Sequence, residues 1–279
     1  MELTHKALLA ALTDISGIGD TRAYELYNHF DDPRDLLSAP ASLTDKYHYV
    51  DETTLTDIRS LDDEAKGYFN RFETYESNGI TLLGITEDRY PEAVRAGPAP
   101  VILYAKGNVE LLTGNTVGVS GSRETNETGQ QWIESLSAEL AENRHTLVSG
   151  GARGADTAAH RGALDTDEST IAVLGTGVNV VYPPENQSLF DQIIETGGLL
   201  ISMRPPDAEP VRHAFLDRNE LIAALSDGMI FVATDGNGGT MAQYKIALEQ
   251  DRPVFVPPSN LDITPNDGLT TIREAEATQ

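Results

Sequence analysis

An alternation of short apolar runs with helix-like segments fills residues 116–256 and limits the possible folds more than any other feature of this sequence. The apolar runs occupy residues 116–120, 146–149, 170–174, 199–203, 229–233 and 254–256. The segments with helical composition lie between them, at residues 130–142, 156–164, 188–196, 219–225 and 240–250. Parallel strands joined by helical crossovers, with helices covering both faces, produce this pattern. We therefore predict an α/β fold with a doubly wound, mostly parallel sheet.

A smaller helical region precedes this series. Residues 7–78 carry apolar side chains at helical spacing, and the segment Ile15-Ser16-Gly17-Ile18-Gly19 resembles the turn of a helix-hairpin-helix module. In that module the glycine turn offers backbone N–H groups to a DNA phosphate without reading sequence. A helical hairpin that serves packing or protein contacts is the alternative. We expect an all-α helix-hairpin-helix or SAM-like domain at residues 1–78 and an α/β domain at residues 79–279.

Both ends of the predicted α/β domain are less regular than its centre. Two further strands are predicted at residues 80–85 and 101–104, before the regular series begins. Beyond Pro257 the pattern weakens, and residues 274–279 are expected to form a frayed tail.

The charge balance is strongly acidic. The chain has 44 Asp and Glu residues against 20 Lys and Arg, a formal net charge of −24, and its basic residues are 15 Arg and 5 Lys. Such a surface repels nucleic acids and anionic membranes at low salt, whereas in molar salt the Debye length falls to about 3 Å. We expect an extremely halophilic source, with an ordinary acidic protein as the alternative.

Other features of the composition bear on the cellular compartment. The chain has no cysteine, which excludes disulfides and thiolate metal sites. No apolar stretch approaches the ~18 residues of a membrane span. The first residues, from Met1 to Lys6, lack the pattern of a signal peptide. We expect a cytoplasmic protein.

The unusual loops of the chain follow the predicted strands at their carboxyl ends, where ligands bind in an open parallel sheet. Four of these loops are rich in glycine, at residues 120–123, 149–156, 175–179 and 236–240. Six of the 15 arginines fall in or beside the loops: Arg123, Arg153, Arg161, Arg204, Arg212 and Arg218. Glycine allows close approach of a ligand, a helix N-terminus offers N–H groups, and arginine offers a planar fork of donors. The arrangement predicts a phosphate-binding rim.

Several kinds of enzyme site do not fit the sequence. Gly175-Thr176-Gly177 is followed by Val180 where a dinucleotide fingerprint needs its third glycine. No Gly-Lys-Ser/Thr phosphate loop and no Gly-x-Ser-x-Gly elbow occurs. The six histidines show no metal-ligand spacing, and His160 is expected to pack within its helix. We expect no metal, no cofactor and no catalytic residue, and we expect Asp156 to cap the helix that follows it.

Residues 80 to about 275 resemble the DprA/Smf family of DNA-processing proteins. The resemblance rests on an ordered series of motifs, and the helical region before residue 80 also resembles that family's N-terminal module. The motifs are Tyr90-Pro91, Ser120-Gly121-Ser122-Arg123, Ser149-Gly150-Gly151-Ala152-Arg153-Gly154-Ala155-Asp156, Ala159-His160, Ala163-Leu164, Thr170-Ile171-Ala172-Val173-Leu174-Gly175, Tyr182-Pro183-Pro184-Glu185-Asn186, Phe215, Arg218-Asn219, Ile222-Ala223 and Arg252-Pro253-Val254.

The resemblance implies an extended Rossmann-like fold that binds single-stranded DNA, often as a homodimer. It also implies protection of incoming DNA, help in loading a RecA-family recombinase during transformation, and no established catalysis. The residues predicted to bind DNA or phosphate are Gly121, Ser122, Arg123, Ser149, Gly150, Gly151, Arg153, Gly154, Arg218, Asn219, Gly238, Gly239 and Thr240. The residues predicted to stack on bases are Tyr182, His213 and Phe215.

The sequence departs from the family pattern at three places. Glu220 replaces the second arginine of Phe-Pro-x-Arg-Asn-Arg, which is expected to weaken a positive pocket. Gly238-Gly239-Thr240 stands where the family has Ser-Gly-Ser. The winged-helix module that some members carry at the C-terminus is not found in this sequence.

A second resemblance leads to a different class of function. Arg218-Asn219 followed by residues 236–240 is similar to the lysine-decarboxylase-like phosphoribohydrolases, which cleave nucleoside monophosphates. Those enzymes place a catalytic glutamate where this chain has Gln243, and an amide cannot act as that base. Nucleotide binding on the same fold, or a scaffold for protein contacts, stays open as an alternative to DNA binding.

Overall fold

The computed structural model describes residues 2–97 and 99–276, and the chain divides into two units. The first unit comprises residues 1–90 and 99–103, and the second comprises residues 91–98 and 104–279. A domain boundary at residues 78 and 79 remains a prediction.

The first unit is mostly helical. Its elements are α1 (Glu2–Thr13), α2 (Asp20–Tyr27), α3 (Leu43–Lys46), α4 (Glu52–Arg59), α5 (Asp62–Ser77) and the strand β1 (Ile80–Gly84). The apolar face of α1 is fully buried at Leu9, Ala11 and Leu12, as is Phe72 of α5. Burial of these side chains stabilises a helical region whose individual helices are too short to be stable alone.

The turn between α1 and α2 carries the segment that resembles a helix-hairpin-helix. Ile15 and Ile18 are buried, whereas Gly17 and Gly19 are exposed. Gly17 has a φ of +83°, and its carbonyl accepts a hydrogen bond from Nη1 of Arg22 at 2.6 Å. Asp20 begins α2 and accepts a hydrogen bond from the N–H of Val101 at 2.8 Å. Contact of this turn with DNA remains a prediction.

A buried ion pair joins α1 to the segment after β1. Nζ of Lys6 lies 2.6 Å from Oε1 of Glu87 and donates a hydrogen bond to the carbonyl of Leu82 at 2.8 Å. Both charged side chains are nearly inaccessible to water. Removal of either partner would leave an uncompensated buried charge, so the pair makes the position of α1 specific.

The second unit is an α/β fold. Its strands are β2 (Ile102–Gly107), of which residues 104–107 belong to this unit, β3 (Thr116–Ser120), β4 (Thr146–Ser149), β5 (Thr170–Leu174), β6 (Leu199–Ser202), β7 (Gly228–Phe231) and β8 (Val254–Phe255). Its helices are α6 (Glu92–Ala96), α7 (Glu127–Glu142), α8 (Ala155–Leu164), α9 (Gln187–Glu195), α10 (Ala214–Ala224), α11 (Gly238–Glu249) and α12 (Asp267–Glu276).

The strands of the second unit follow the order β2-β6-β5-β4-β3-β7-β8. All neighbouring pairs from β6 to β8 are parallel, and only β2 runs antiparallel to its neighbour β6. Val119 lies opposite Ile230 in the β3–β7 register, and Val148 lies opposite Ile171 in the β4–β5 register. The predicted doubly wound, mostly parallel sheet is confirmed.

Helices α7 and α8 cover one region of this sheet and form its densest packing. The face of α8 is built from small residues, with Ala155, Ala158, Ala159 and Ala163 all buried against β3 and β4. Small side chains let α8 approach the sheet and α7 closely, which fixes the position of its N-terminus. That N-terminus follows the glycine-rich loop after β4, so the packing of α8 also fixes the loop.

Two helices differ most from the predictions. Helix α10 begins at Ala214, five residues before the predicted start at residue 219. The prediction missed these residues because Arg218, a buried charged residue, interrupts the apolar spacing that indicates a helix. Helix α12 lies beyond Pro257, where the pattern is weak, and its Leu269 and Ile272 are buried. It includes residues 274–276, so the predicted frayed tail is wrong for these three residues. Residues 277–279 of the predicted frayed tail lie outside the described residues. Among residues 2–97 and 99–276, no helix is both long and apolar enough to span a bilayer.

Candidate functional site

The sheet changes its winding direction between β3 and β7. The chain proceeds from β3 outward through β4, β5 and β6, and it then returns to the other side of β3 to form β7 and β8. The loops after β3 and β7 therefore leave the sheet in opposite directions, and a crevice opens at the carboxyl ends of these strands. The predicted rim residues come from the loops and helices around this crevice.

The loop after β3 is fixed by backbone hydrogen bonds. The N–H of Ser122 donates to the carbonyl of Ala233 at 2.8 Å, which ties this loop to the end of β7. The carbonyl of Ser122 accepts from the N–H of Ala155 at 3.3 Å and from Oγ1 of Thr125 at 2.6 Å. Arg123 thus projects from a segment whose backbone is already ordered.

The loop after β4 packs directly on the loop after β3. Gly154 has a φ of +71°, and a Cβ atom placed there would lie 2.5 Å from the carbonyl oxygen of Ser122 and 2.7 Å from that of Arg123. The position therefore needs glycine for both its backbone conformation and its close contact. The amide of Asn186 further fixes this loop by donating to the carbonyl of Gly151 at 2.8 Å.

We expect Gly154→Ala to lower the free energy of unfolding by about 1–3 kcal/mol, because the added methyl group pushes two loop backbones apart and strains the left-handed conformation. Gly239→Ala is the matched control, since a Cβ there meets nothing within 4 Å. Denaturant unfolding of both variants tests the expectation. Equal stability of the two variants would show that the loops do not depend on this contact.

Two adjoining cavities open at this edge of the sheet. The switch-point cavity, of about 660 Å³, is lined by Ser120, Gly121, Ser122, Arg123, Glu124, Ala152, Asp156, Arg212, Phe215, Leu216, Arg218, Asn219, Thr234, Asp235, Asn237, Gly238, Gly239, Thr240 and Gln243. The aromatic pocket, of about 80 Å³, is lined by Arg123, Gly150, Ala152, Arg153, Tyr182, Pro183, Pro184, Phe215 and Arg218. Both linings include Arg123, Ala152, Phe215 and Arg218.

Arg218 lies between the two cavities and is only 8% exposed. Its Nη1 donates to the carbonyl of Val173 at 3.0 Å, and its Nε has no hydrogen-bond partner among the described residues. A Cβ atom at Gly150 would lie 1.5 Å from this Nη1, so the guanidinium rests directly on the loop after β4. Burial lowers the pKa of Arg218, and the nearby Arg123 charge acts in the same direction. A bound anion would supply the missing acceptor.

Asp156 is the buried counter-charge of Arg218. Burial raises the pKa of this carboxyl group, and the positive charge of Arg218 limits the rise. Its Oδ2 accepts a hydrogen bond from the N–H of Ala152 at 3.2 Å, within the loop after β4. The prediction that Asp156 caps α8 is wrong: Gly154 occupies the cap position, and Asp156 lies in the first turn and holds the loop.

Arg123 and Arg153, two of the exposed arginines of the rim, differ in their partners. Arg123 has no carboxylate within ion-pair distance in the part of the chain that the structure describes. Arg153 forms an exposed ion pair with Glu185, whose pKa is lowered by the hydrogen bond from Arg153. Arg123 is therefore free to bind an anion, whereas Arg153 has to exchange one anionic partner for another.

Two aromatic rings meet at the aromatic pocket. The ring centroids of Tyr182 and Phe215 lie 5.4 Å apart at an interplanar angle of 47°, and Tyr182 is 39% exposed. Phe215 also packs on the backbone of Gly175. The structure thus brings two of the three predicted stacking residues together. His213 is exposed just before α10 and lines neither cavity.

Buried His160 lies on α8, behind the rim. Oγ1 of Thr170 donates to the carbonyl of Leu147 at 2.8 Å, so this hydroxyl accepts from Nδ1 of His160 at 2.9 Å. The expected packing role of His160 is confirmed by its complete burial. Burial lowers the pKa of His160 to about 3, and Arg218 acts in the same direction.

The depressed pKa of His160 predicts a loss of stability in acid. The unfolded chain takes up this proton near pH 6.5 and the folded chain only near pH 3, so stability falls by about 1.4 kcal/mol per pH unit across that window. In His160→Gln this contribution disappears. We therefore expect the difference in unfolding free energy between the two proteins to shrink as the pH falls below about 6.5. Urea unfolding at several pH values measures it, and a difference that is independent of pH would contradict the expectation.

The structure separates several of the predicted site residues. Ser149 is fully buried and its hydroxyl donates to the carbonyl of Val119 at 2.8 Å, so its side chain serves the sheet. Gly151 packs on Phe190. Arg161 and Arg204 line neither cavity, which corrects their assignment to the rim.

Gly154 lines neither cavity, whereas the other predicted rim residues line one or both of them. These are Gly121, Ser122, Arg123, Gly150, Arg153, Arg212, Arg218, Asn219, Gly238, Gly239 and Thr240. Glu220 lines neither cavity, so the expectation that it weakens the positive pocket is not supported by its placement. Leu216 and Glu124 line the switch-point cavity without having been predicted, and their adjacency to Phe215 and Arg123 was the only sequence signal for them.

Comparisons with known proteins agree with this architecture. The family model described as "DNA recombination-mediator protein A" matches residues 81–279. The DNA processing protein DprA of Streptococcus pneumoniae is 34% identical over 223 residues, which cover 80% of this chain and 72% of that protein. Protein Smf of Synechocystis is 29% identical over 281 residues, which cover 98% of this chain and 69% of that protein.

Two solved structures are also similar. The X-ray structure of DNA processing protein A from Streptococcus pneumoniae gives a TM-score of 0.66 at 30% identity, covering 92% of this chain and 93% of that one. A structure of DNA processing protein A from Helicobacter pylori gives a TM-score of 0.64 at 31% identity, covering 72% of this chain and 89% of that one. The Helicobacter pylori protein is described as having a unique single-stranded DNA binding mode. The similarity confirms the predicted Rossmann-like α/β fold.

Proposed function

This chain belongs to the DNA recombination-mediator protein A family, and from that premise we propose that it is a DNA-processing protein of DNA-mediated transformation that binds single-stranded DNA at the carboxyl edge of its sheet. The observation that carries the proposal is the placement of Arg218. Its guanidinium is buried, rests on a glycine loop, lacks an acceptor at Nε, and lies between two cavities that open at the same edge.

The groups around Arg218 suit a strand with unpaired bases. Arg123 and Arg153 offer guanidinium groups to successive phosphates, and the loop glycines let backbone N–H groups approach the strand. Tyr182 and Phe215 offer rings on which bases can stack, worth about 1–3 kcal/mol per base regardless of sequence. Stacking of this kind needs bases that are not paired in a duplex. The site therefore favours single strands and has little sequence preference.

A binding comparison in molar KCl tests the proposal. We expect an unstructured oligonucleotide to bind more tightly than the same sequence in a duplex. Oligonucleotides of different base composition should bind with similar affinity. Equal affinity for the single strand and the duplex would contradict the proposed role of the stacking rings.

The larger roles of the family are proposals for this chain. We expect it to protect incoming single strands and to assist the loading of a RecA-family recombinase, in line with the family description as a recombination mediator. We also expect a homodimer. Faster nucleation of a RecA-family protein on single-stranded DNA in the presence of this chain would support loading. An unchanged nucleation rate would restrict the function to strand binding.

We further propose that the protein is not a hydrolase. Hydrolysis needs a base placed beside the scissile bond. Where the phosphoribohydrolases have their catalytic glutamate this chain has Gln243, an amide that cannot act as a base, and Asp156 is buried and engaged by the loop after β4. Incubation with AMP should release no ribose 5-phosphate. Release that is abolished by Asp156→Asn would establish the nucleoside-monophosphate hydrolase alternative instead.

A further inference from the structure

The inner wall of the switch-point cavity carries a polar group that no contact within the described protein satisfies. Gln243 of α11 is 4% exposed, and its Nε2 has no hydrogen-bond partner among the described residues. A buried amide without a partner is costly, and native proteins retain few of them. Gln243 lines the cavity, where a ligand can supply the missing acceptor.

The N-terminus of α11 opens into the same cavity. The helix has 12 residues, and its cap residue Asn237 makes no side-chain hydrogen bond to the first turn. Gly238, Gly239 and Thr240 form that first turn and all line the cavity. The first N–H groups of a helix have no acceptor within the helix, and they carry the positive end of its dipole. Phosphate is the ligand that such a terminus binds most readily in proteins.

One part of the remaining wall is apolar and suits a nucleoside. Leu216, which is 50% exposed, and the ring of Phe215 line the cavity together with Ala152. The cavity volume of about 660 Å³ is large enough for one nucleotide. Formal side-chain charges in the lining balance, since Arg123, Arg212 and Arg218 face Glu124, Asp156 and Asp235. Attraction for an anion therefore comes from the directed donors of α11, Gln243 and Arg218 rather than from net charge.

We infer that the switch-point cavity binds a nucleoside 5′-monophosphate group, with Gln243 as a phosphate-binding residue at the N-terminus of α11. A terminal phosphate presents three non-bridging oxygens to these donors, one more than the phosphodiester inside a strand. The group can belong to a free nucleotide or to the phosphorylated 5′ end of a DNA strand. For the strand end, the inference rests on the proposed function, because it adds an end-binding subsite to the strand-binding edge.

Four probes test the inference in KCl at a concentration that keeps the protein folded. They are 2′-deoxyadenosine 5′-monophosphate, 2′-deoxyadenosine, and one oligonucleotide with either a 5′-phosphate or a 5′-hydroxyl. We expect the monophosphate to bind and the nucleoside not to bind. We expect the 5′-phosphorylated strand to bind about tenfold more tightly than the 5′-hydroxyl strand, the effect of one or two hydrogen bonds to a charged group.

Two variants separate binding from folding. Gln243→Leu removes the amide at similar volume and should reduce the preference for the 5′-phosphate to about twofold. Gly239→Asp places a carboxylate in the first turn of α11, which should keep or raise the melting temperature but abolish monophosphate binding, because a negative charge suits the helix and repels the ligand. Gln131→Leu on the exposed face of α7 is the matched control and should change neither affinity.

The outcomes distinguish a free nucleotide from the phosphorylated end of a strand as the ligand. They also distinguish failure of the monophosphate site from failure of the proposed strand binding. Binding of the free monophosphate without any strand-end preference supports the site and assigns it to free nucleotides. Strand-end preference without free-nucleotide binding supports the site and assigns it to DNA ends. The inference is overturned if neither is observed, or if both persist unchanged in Gln243→Leu and Gly239→Asp. Affinity for the 5′-hydroxyl strand reports on the proposed function independently of either result.

Discussion

Arg218→Ala should lower the free energy of unfolding by about 3–5 kcal/mol and abolish binding of single-stranded DNA. The substitution leaves the buried carboxylate of Asp156 without its counter-charge and leaves the carbonyl of Val173 without its donor. It also removes the guanidinium on which the loop after β4 rests. Denaturant unfolding measures the first effect. A binding assay under conditions in which the variant is still folded measures the second.

A double-mutant cycle distinguishes the charge interaction between Arg218 and Asp156 from general packing. Asp156→Asn removes the charge of the carboxylate and retains its shape. If the pair is coupled as the structure indicates, Arg218→Ala should cost less in the Asp156→Asn background than in the native protein, by at least about 0.5 kcal/mol. Strict additivity of the two substitutions would mean that Arg218 stabilises the fold through its other contacts alone.

Arg123→Ala should weaken binding of single-stranded DNA by about 1.5–3 kcal/mol and leave stability nearly unchanged. Arg123 is exposed, has no ion-pair partner among the described residues, and lines both cavities. Its loss therefore removes a phosphate contact without removing a contact within the protein. Fluorescence anisotropy with a labelled oligonucleotide measures the affinity, and thermal melting measures the stability.

Arg144→Ala is the matched control for this prediction. Arg144 is also exposed, but it precedes β4 and so lies at the amino edge of the sheet, opposite the cavities. If the strand binds at the carboxyl edge, only the Arg123 substitution weakens binding. Equal losses in the two variants would show that DNA responds to the overall charge of the protein.

The sequence was sufficient to predict the order and type of the elements in the sheet, because parallel strands buried on both faces read as uninterrupted apolar runs. The position of the candidate site could be predicted from the same order, because the loops after β3, β4 and β7 all leave the sheet at the carboxyl ends of neighbouring parallel strands. The bounds of two helices could not be predicted from apolar spacing. The first turn of α10 was missed because it contains Arg218, a charged residue that is buried. Helix α12 was missed because Leu269 and Ile272 alone are too few apolar residues to indicate a helix.

The individual roles of the rim residues depended on side-chain directions that spacing does not specify. Ser149 lies in a glycine-rich motif, yet its hydroxyl points to Val119 within the sheet. Arg161 lies in α8 and Arg204 follows β6, yet neither residue lines a cavity. The sequence marks Gln243 only as an amide at the position of a catalytic base, and its burial without a partner depends on the packing of α11 against α10, which spacing does not specify.

The acidic composition determines how the proposed DNA-binding edge would work in concentrated salt. Diffuse attraction between surface lysines and phosphates declines steeply with ionic strength, and this chain has only 5 lysines. Donors that are fixed by the fold, bidentate arginines and stacked rings act at short range and are screened much less. The central claim is therefore that a few fixed contacts, rather than net charge, hold the strand.

The dependence of single-strand affinity on KCl concentration tests this claim most directly. Three arginine contacts, from Arg123, Arg153 and Arg218, predict a slope of about −2 in a plot of log affinity against log KCl, at roughly 0.7 per contact. Arg123→Ala should make the slope shallower by about one such contact. A slope steeper than about −5 in the folded protein, unchanged by Arg123→Ala, would show that diffuse electrostatics holds the strand and would contradict the assignment of the binding edge.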